Sequence, residues 1–178
     1  LIVEGGRIDH ALHETNAIRS MEEVASFDQA IATALSMVNL DDTLVVVTAD
    51  HDHTMAINGY GKRTGPTTAS NPGILGLVKN VVSGALELDA DGVPYSNLVF
   101  GNGEKRVAGA RNSVAPLDEA TTSDKDYHQE AGVLRAAGDE THGGGDVMLM
   151  ADGPGSKAFK GTMVNTRVNA LLRQALGF

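Results

Sequence analysis

The run Thr43-Leu-Val-Val-Val-Thr48 limits what this chain can fold into more than any other segment. It is apolar at consecutive positions, which is typical of an interior strand of a parallel sheet that helices cover on both faces. A helical pattern precedes it, with apolar residues at Ile18, Met21, Val24, Ile31, Leu35 and Val38. A short apolar run at residues 1–3 precedes that pattern. Strand, helix and strand in this order predict a right-handed βαβ unit. We therefore expect an α/β fold with a mostly parallel central sheet flanked by helices.

The rest of the chain alternates apolar runs with polar, glycine-rich stretches, and no repeat or low-complexity tract divides it. At 178 residues, the whole of residues 1–178 fits within a single domain. We expect a short helix at residues 74–82, an irregular insertion at about 86–126 with a short strand at 97–100, a partly helical segment at 127–137, a buried strand at 146–151 and a closing helix whose apolar stripe runs from Val164 to Ala175.

Charge and cysteine content exclude several classes of function. The net charge is −9, and no basic stripe is present, which argues against a nucleic-acid-binding surface. A small anionic substrate stays possible because bound divalent cations can reverse a local negative field. There is no cysteine, and therefore neither a disulfide framework nor a thiolate metal site. No apolar run reaches the roughly 18 residues of a membrane span.

Histidines and acidic residues occur together in three short stretches. These are Glu4-Gly-Gly-Arg-Ile-Asp9-His10-Ala-Leu-His13, Asp50-His51-Asp52-His53 and Glu140-Thr141-His142. Imidazole and carboxylate ligands without thiols suit zinc, and a magnesium-type site where oxygen ligands dominate. The clustering therefore indicates a metal-centred hydrolytic site.

The spacing of these residues gives each stretch both a functional and an ordinary interpretation. Asp9 and His13 are four residues apart, so on a helix they share one face and could clamp one ion. Asp50 and His51 follow the strand at residues 43–48, where open α/β sheets bind ligands. An exposed ion pair, a solvated loop and an exposed loop histidine at His142 are the alternatives. His128 has no clear partner and is interpreted as a surface residue.

The three stretches together resemble the ligand motifs of the alkaline phosphatase family in order and spacing, and the resemblance covers nearly the whole chain. It implies that Asp9, His13 and His142 hold a first zinc ion. It also implies that Asp50 and His51 bind a second zinc ion, and that Glu4 binds a magnesium ion. His53 matches a position that orients a ligand carboxylate, and His10 matches a position near the phosphate and the magnesium.

The resemblance further implies hydrolysis of phosphate monoesters through a phosphoserine intermediate, in a homodimer exported to the periplasm or the cell exterior. It places the serine nucleophile, the remaining ligands and the phosphate-binding arginine upstream of the first motif, and none of them is in this chain. We therefore expect this to be the carboxyl-terminal part of an alkaline-phosphatase-like domain, inactive without the missing amino-terminal segment. A non-catalytic zinc-binding fragment, or a phosphodiesterase or sulfatase relative, are the alternatives.

Overall fold

A computed structural model describes all residues 1–178, which form four α-helices and five β-strands. The helices are α1 (Arg7–His13), α2 (Ala17–Met37), α3 (Glu119–Thr122) and α4 (Thr166–Ala175). The strands are β1 (Val45–Thr48), β2 (Met55–Ile57), β3 (Leu98–Gly103), β4 (Ala131–Leu134) and β5 (Leu149–Asp152). The chain divides into two compact units, unit 1 with residues Leu1–Ala25 and His53–His142, and unit 2 with residues Ser26–Asp52 and Gly143–Phe178. The α/β class is therefore confirmed.

In unit 1, a tight turn separates α1 from α2. The backbone N–H of Thr15 donates to the carbonyl of Leu12 at 2.8 Å, and Thr15 itself has a φ of 54°, which ends α1. Asn16 then begins α2, because its side-chain oxygen accepts from the backbone N–H of Arg19 at 3.0 Å. The Asn16 amide also donates to the carbonyl of Lys125 at 2.8 Å. These contacts fix the carboxyl end of α1, where His13 lies.

Unit 1 also contains a three-stranded mixed sheet in the order β2-β3-β4. Strand β3 pairs antiparallel with β2 and parallel with β4. The strand predicted at residues 97–100 is therefore confirmed, and it continues to Gly103. Leu98 and Phe100 point into the interior and are each 2% exposed. Leu98 packs with Ala17 of α2 and Leu75, so the first turns of α2 lie on this core.

The prediction of two further helices in this unit was wrong. Residues 127–137 contain strand β4 rather than a helix. Gly132 allows β4 to approach β3 closely, since a Cβ there would lie 3.1 Å from the carbonyl oxygen of Gly101. Residues 74–82 hold only a 3₁₀ turn at Gly73–Leu75, after which the chain is extended and the N–H of Val78 donates to the carbonyl of Tyr95. Local spacing did not reveal these long-range backbone bonds.

Unit 2 contains a two-stranded antiparallel ladder of β1 and β5, with Val45 opposite Asp152 and Thr48 opposite Leu149. The strands expected at residues 43–48 and 146–151 are therefore present, although each is shorter than expected and neither contains a buried residue, so their predicted burial was wrong. The expected closing helix is confirmed as α4, with Leu171 buried. Gly153 ends the ladder with a φ of 95°, and a Cβ there would lie 2.0 Å from the carbonyl oxygen of Thr43.

The prediction of a βαβ unit was wrong, and so was the prediction that the strand at residues 43–48 pairs in parallel. Residues 1–3 form no strand and are exposed, and β1 pairs antiparallel with β5. Only the β3–β4 pair is parallel. A run of valines favours a strand that is buried on both faces, but β1 is only half-buried here and its partner decides the strand direction. The assignment of residues 1–178 to one domain with an insertion at about 86–126 stays a prediction.

No helix of this structure combines the length and apolar content that crossing a bilayer requires.

Replacing Arg111 with methionine should lower the free energy of unfolding at neutral pH and flatten its fall below about pH 4. Arg111 Nη1 lies 2.5 Å from Asp89 Oδ2, and Nη2 lies 2.8 Å from Glu130 Oε2. The hydrogen bond from Arg111 holds the pKa of Asp89 below its usual 3.8, against the opposing effect of desolvation. A carboxyl whose folded pKa is depressed stabilises the protein above its unfolded pKa, and this stabilisation is lost as pH falls through the folded pKa.

Urea unfolding at pH 7, 4 and 3 measures this effect. Arg106→Met is the matched control, because Arg106 is exposed and lines the same cavity as Arg111. The control should follow the unsubstituted protein at each pH. An Arg111→Met variant with an unchanged slope between pH 4 and pH 3 would show that the Asp89–Arg111 pair does not contribute to acid stability.

Candidate metal centre

Helix α1 presents Asp9 and His13 one turn apart, which is the arrangement that their four-residue spacing gives on a helix. Asp9 Oδ1 lies 3.4 Å from His13 Nε2. Their side chains are 37% and 27% exposed, so both are reachable from solvent while being held by the surrounding structure. The pair can therefore offer one carboxylate oxygen and one imidazole nitrogen to the same ion.

A backbone contact between distant segments brings the third histidine to this pair. His53 and His142 form an isolated antiparallel bridge, which places residue 142 beside α1. His142 Nε2 lies 3.7 Å from Asp9 Oδ1, and the His13 and His142 rings have centroids 5.1 Å apart. The tertiary structure of unit 1 thus collects Asp9, His13 and His142, residues 133 positions apart at the extremes.

Two separations within this set are close to those of ligands that share one zinc ion, and both start from Asp9. With zinc–ligand bonds of about 2.0–2.2 Å in a tetrahedron, two ligand atoms lie about 3.3–3.6 Å apart. The observed 3.4 Å from Asp9 to His13 falls within this range, and the 3.7 Å from Asp9 to His142 lies just beyond it. Two histidines and one carboxylate are also a donor set that catalytic zinc uses, with a fourth position left for water or substrate. These residues therefore fit zinc.

The tautomer of His13 supports the same assignment. Its Nδ1 hydrogen bonds to the backbone carbonyl of Glu140. A carbonyl only accepts, so Nδ1 carries a proton, and Nε2, which faces Asp9, is the ring nitrogen left to bind a metal. Histidines that bind metals commonly donate their other ring N–H to a carbonyl in this way, which fixes the ring orientation.

His53 lies in the same cluster but at hydrogen-bond distances rather than ligand distances. Its Nε2 is 3.0 Å from Asp9 Oδ1, and its Nδ1 is 2.6 Å from Glu140 Oε2. The 3.0 Å contact is within the usual range for N–H···O hydrogen bonds and the 2.6 Å contact is slightly shorter, and both are shorter than the separation of two zinc ligands. Only 4% of the His53 side chain is exposed. His53 is thus placed to orient the carboxylate of Asp9.

Glu140 lies within the third histidine stretch but was not among the predicted ligands. Glu140 is 1% exposed, and its carboxylate accepts from the N–H of Thr54 at 2.8 Å and from the Thr54 hydroxyl at 2.5 Å. His13, His53 and Glu140 have ligand-type atoms within 4.8 Å of one another. Nothing in the local pattern distinguishes a buried glutamate from the exposed Asp139 beside it, because burial here depends on Thr54 and His53.

The second predicted pair lies in unit 2, directly after β1. His51 Nε2 is 3.5 Å from Asp50 Oδ2, a separation that also suits two ligands of one ion. His51 Nδ1 is 3.1 Å from the carbonyl oxygen of Asp52, so Nδ1 donates there and Nε2 is the ring nitrogen left to bind a metal. Asp52 in turn accepts from the N–H of Gly145 with both carboxylate oxygens at 3.0 Å. This arrangement holds the loop that carries the pair.

The structure does not gather the remaining predicted residues into a cluster. Glu4 and His10 are exposed, and the Asp50 side chain is 91% exposed. None of these three belongs to a group of three or more metal-ligating side chains. The interpretation of His128 as a surface residue without a partner was wrong. Its Nδ1 lies 2.6 Å from the carbonyl of Glu14 and 2.8 Å from Glu104 Oε1.

The chain is similar in sequence to proteins of one known family. The family model described as alkaline phosphatase matches residues 1–178. The tissue-nonspecific alkaline phosphatase isozyme of Felis catus is 40% identical over 157 residues, which are 86% of this chain and 26% of that protein. The isozyme of Gallus gallus is 39% identical over 86% of this chain and 27% of that protein, and an alkaline phosphatase of Gadus morhua is 39% identical over 86% and 29%. The chain spans about a quarter of the length of these curated relatives.

Proposed function

Because this chain belongs to the alkaline phosphatase family, we propose that it supplies metal ligands to a phosphomonoesterase. The observation that carries the proposal is that Asp9 lies within 3.4 Å of His13 and 3.7 Å of His142, close to the separation of two zinc ligands. The serine nucleophile, which attacks phosphorus and forms the phosphoserine intermediate, comes from residues upstream of Glu4. Small phosphate monoesters are the substrates.

In this proposal Asp9, His13 and His142 hold the first zinc ion, and Asp50 and His51 contribute to the second. Zinc at such positions supplies a Lewis acid that makes water or serine a better nucleophile near neutral pH and stabilises charge on the reacting phosphoryl group. Asp9 is the shared element of the first set, because its Oδ1 is near both His13 and His142. Its orientation therefore decides whether the three ligands can converge.

Glu4 contributes to the magnesium site, and His10 lies near the phosphate and the magnesium. Each is incomplete as a site, and the other ligands come from the same upstream segment as the serine. His53 keeps the Asp9 carboxylate in place through its 3.0 Å hydrogen bond. The net charge of −9 does not oppose an anionic substrate here, because divalent cations dominate the local field.

The protein is further proposed to act as a homodimer in the periplasm or outside the cell. The absence of cysteine is compatible with an oxidising location, since no thiol is present to be oxidised there. The mostly parallel central sheet expected from the sequence would belong to the complete domain.

Removal of metal should abolish hydrolysis of p-nitrophenyl phosphate by a polypeptide that joins this chain to the serine-bearing segment. Dialysis against a chelator followed by return of zinc and magnesium measures the effect, with dialysis against buffer alone as the control. Activity that survives complete metal removal would contradict the proposal. Metal binding with no turnover would favour a non-catalytic zinc-binding protein. Faster turnover of a phosphate diester or a sulfate ester would assign a related hydrolase chemistry instead.

A further inference from the structure

We infer that Glu140 is a positioning residue for the proposed zinc site, one that orients His13 and His142 through the backbone and Asp9 through His53. The inference rests on the proposed zinc ligands and adds to them a residue that binds no metal itself. Its carboxylate holds His53 at 2.6 Å, a hydrogen-bond distance and not the separation of two ligands. Glu140 therefore acts behind the ligands.

The carboxylate of Glu140 is buried and held in one orientation. The Glu140 side chain is 0% exposed, and burial of a charged carboxylate is unfavourable unless hydrogen bonds compensate it. Three donors do so, namely the N–H and hydroxyl of Thr54 and the ring of His53. Because Oε1 takes both Thr54 donors and Oε2 takes His53, the carboxylate has one orientation that satisfies all of them. This fixes the position of the His53 ring.

The backbone of Glu140 is hydrogen-bonded directly to His13. The Glu140 carbonyl accepts from His13 Nδ1, and the Glu140 N–H donates to the His13 carbonyl at 3.2 Å. His13 is thus held through its ring and through its main chain by the same residue. His142 follows two positions later on the same segment. A shift of Glu140 therefore displaces two of the three proposed ligands.

His53 connects Glu140 to Asp9, the remaining proposed ligand. His53 contacts Glu140 with Nδ1 and Asp9 with Nε2, so the imidazole is a rigid link between the two carboxylates. Residues that orient metal ligands in this way typically change metal affinity 10–100-fold when they are replaced. Glutamine at position 140 keeps the size but replaces one acceptor oxygen with a donor, so it cannot accept from Thr54 and His53 together.

Glu140→Gln should therefore weaken zinc binding about 10–100-fold, measured by competition with a chromophoric chelator. It should also change the visible absorption of the cobalt-substituted protein, since those bands report ligand geometry. Glu119→Gln is the matched control, because Glu119 is a half-buried glutamate that pairs with Lys79 at 2.6 Å. The control should keep both the zinc affinity and the cobalt spectrum of the unsubstituted protein.

The outcomes separate this inference from the proposed function. Unchanged zinc affinity and cobalt spectrum in Glu140→Gln would overturn the role of Glu140 while leaving the zinc ligands intact. An unsubstituted protein that binds no zinc would instead overturn the proposed function. If Glu140→Gln fails to fold, Thr54→Val provides the test by removing one hydroxyl donor at nearly constant volume. A several-fold loss of zinc affinity in Thr54→Val supports the inference, and an unchanged affinity overturns it.

Discussion

Replacing His13 with glutamine should weaken zinc binding by more than about 100-fold, because the substitution removes a metal ligand and not merely a residue that orients a ligand. His13 Nε2 lies 3.4 Å from Asp9 Oδ1, and it is the ring nitrogen left to bind a metal because Nδ1 donates to the Glu140 carbonyl. A glutamine side chain has no imidazole nitrogen to offer at this position. Asp9 and His142 would then remain as two ligands, fewer than the three protein ligands that catalytic zinc sites use. Isothermal titration with zinc measures the change directly.

His128→Gln is the matched control for this substitution. The two histidines have similar side-chain exposure, 27% for His13 and 25% for His128. Each also directs its Nδ1 to a backbone carbonyl, that of Glu140 for His13 and that of Glu14 for His128. Loss of zinc binding in both variants would indicate general loosening of unit 1. Unchanged binding in His13→Gln would show that the Asp9, His13 and His142 assignment is wrong.

The helices that carry the site were predictable because their signals are local. The apolar residues from Ile18 onward depend only on helical geometry, and α2 forms as expected. The spacing of Asp9 and His13 fits one face of a helix, and the structure shows that helix as α1. Strand partners and direction are not local properties. The valines of β1 were correctly predicted as a strand, but nothing in them specified the antiparallel pairing with β5.

The composition of the candidate site was also more predictable than its connections. Histidine and carboxylate content identified the three stretches, since few other residue types bind zinc without cysteine. The sequence did not reveal that Glu140 is fully buried, because that depends on Thr54 and His53, more than 80 positions away. The distinction between ligand separations and hydrogen-bond distances likewise needs coordinates. Roles that follow from residue type are therefore readable in a sequence, and roles that follow from burial are not.

The core of unit 1 supports this arrangement through strand β3. The N–H of Gly101 donates to the carbonyl of Thr54 at 3.0 Å, and Thr54 is the residue that holds the Glu140 carboxylate. Phe100 precedes Gly101 and is among the largest side chains that are fully buried. It lies opposite Met55 of β2 and Ala131 of β4. The packing of Phe100 therefore holds the strand on which Thr54 depends.

Replacing Phe100 with alanine should lower the free energy of unfolding by about 3–5 kcal/mol, the usual cost of deleting a buried aromatic ring. This is a large part of the roughly 5–15 kcal/mol by which domains are stable. Val133→Ala on β4 is the control, because Val133 is 61% exposed and its truncation should change stability by no more than about 0.5 kcal/mol. Urea unfolding without metal measures the free energy of unfolding of both variants.

Zinc at about 100 times its dissociation constant should then raise the free energy of unfolding of Phe100→Ala by about 2.7 kcal/mol, because zinc binds only the folded state. A Phe100→Ala variant that unfolds like Val133→Ala would contradict the view that this core holds the site.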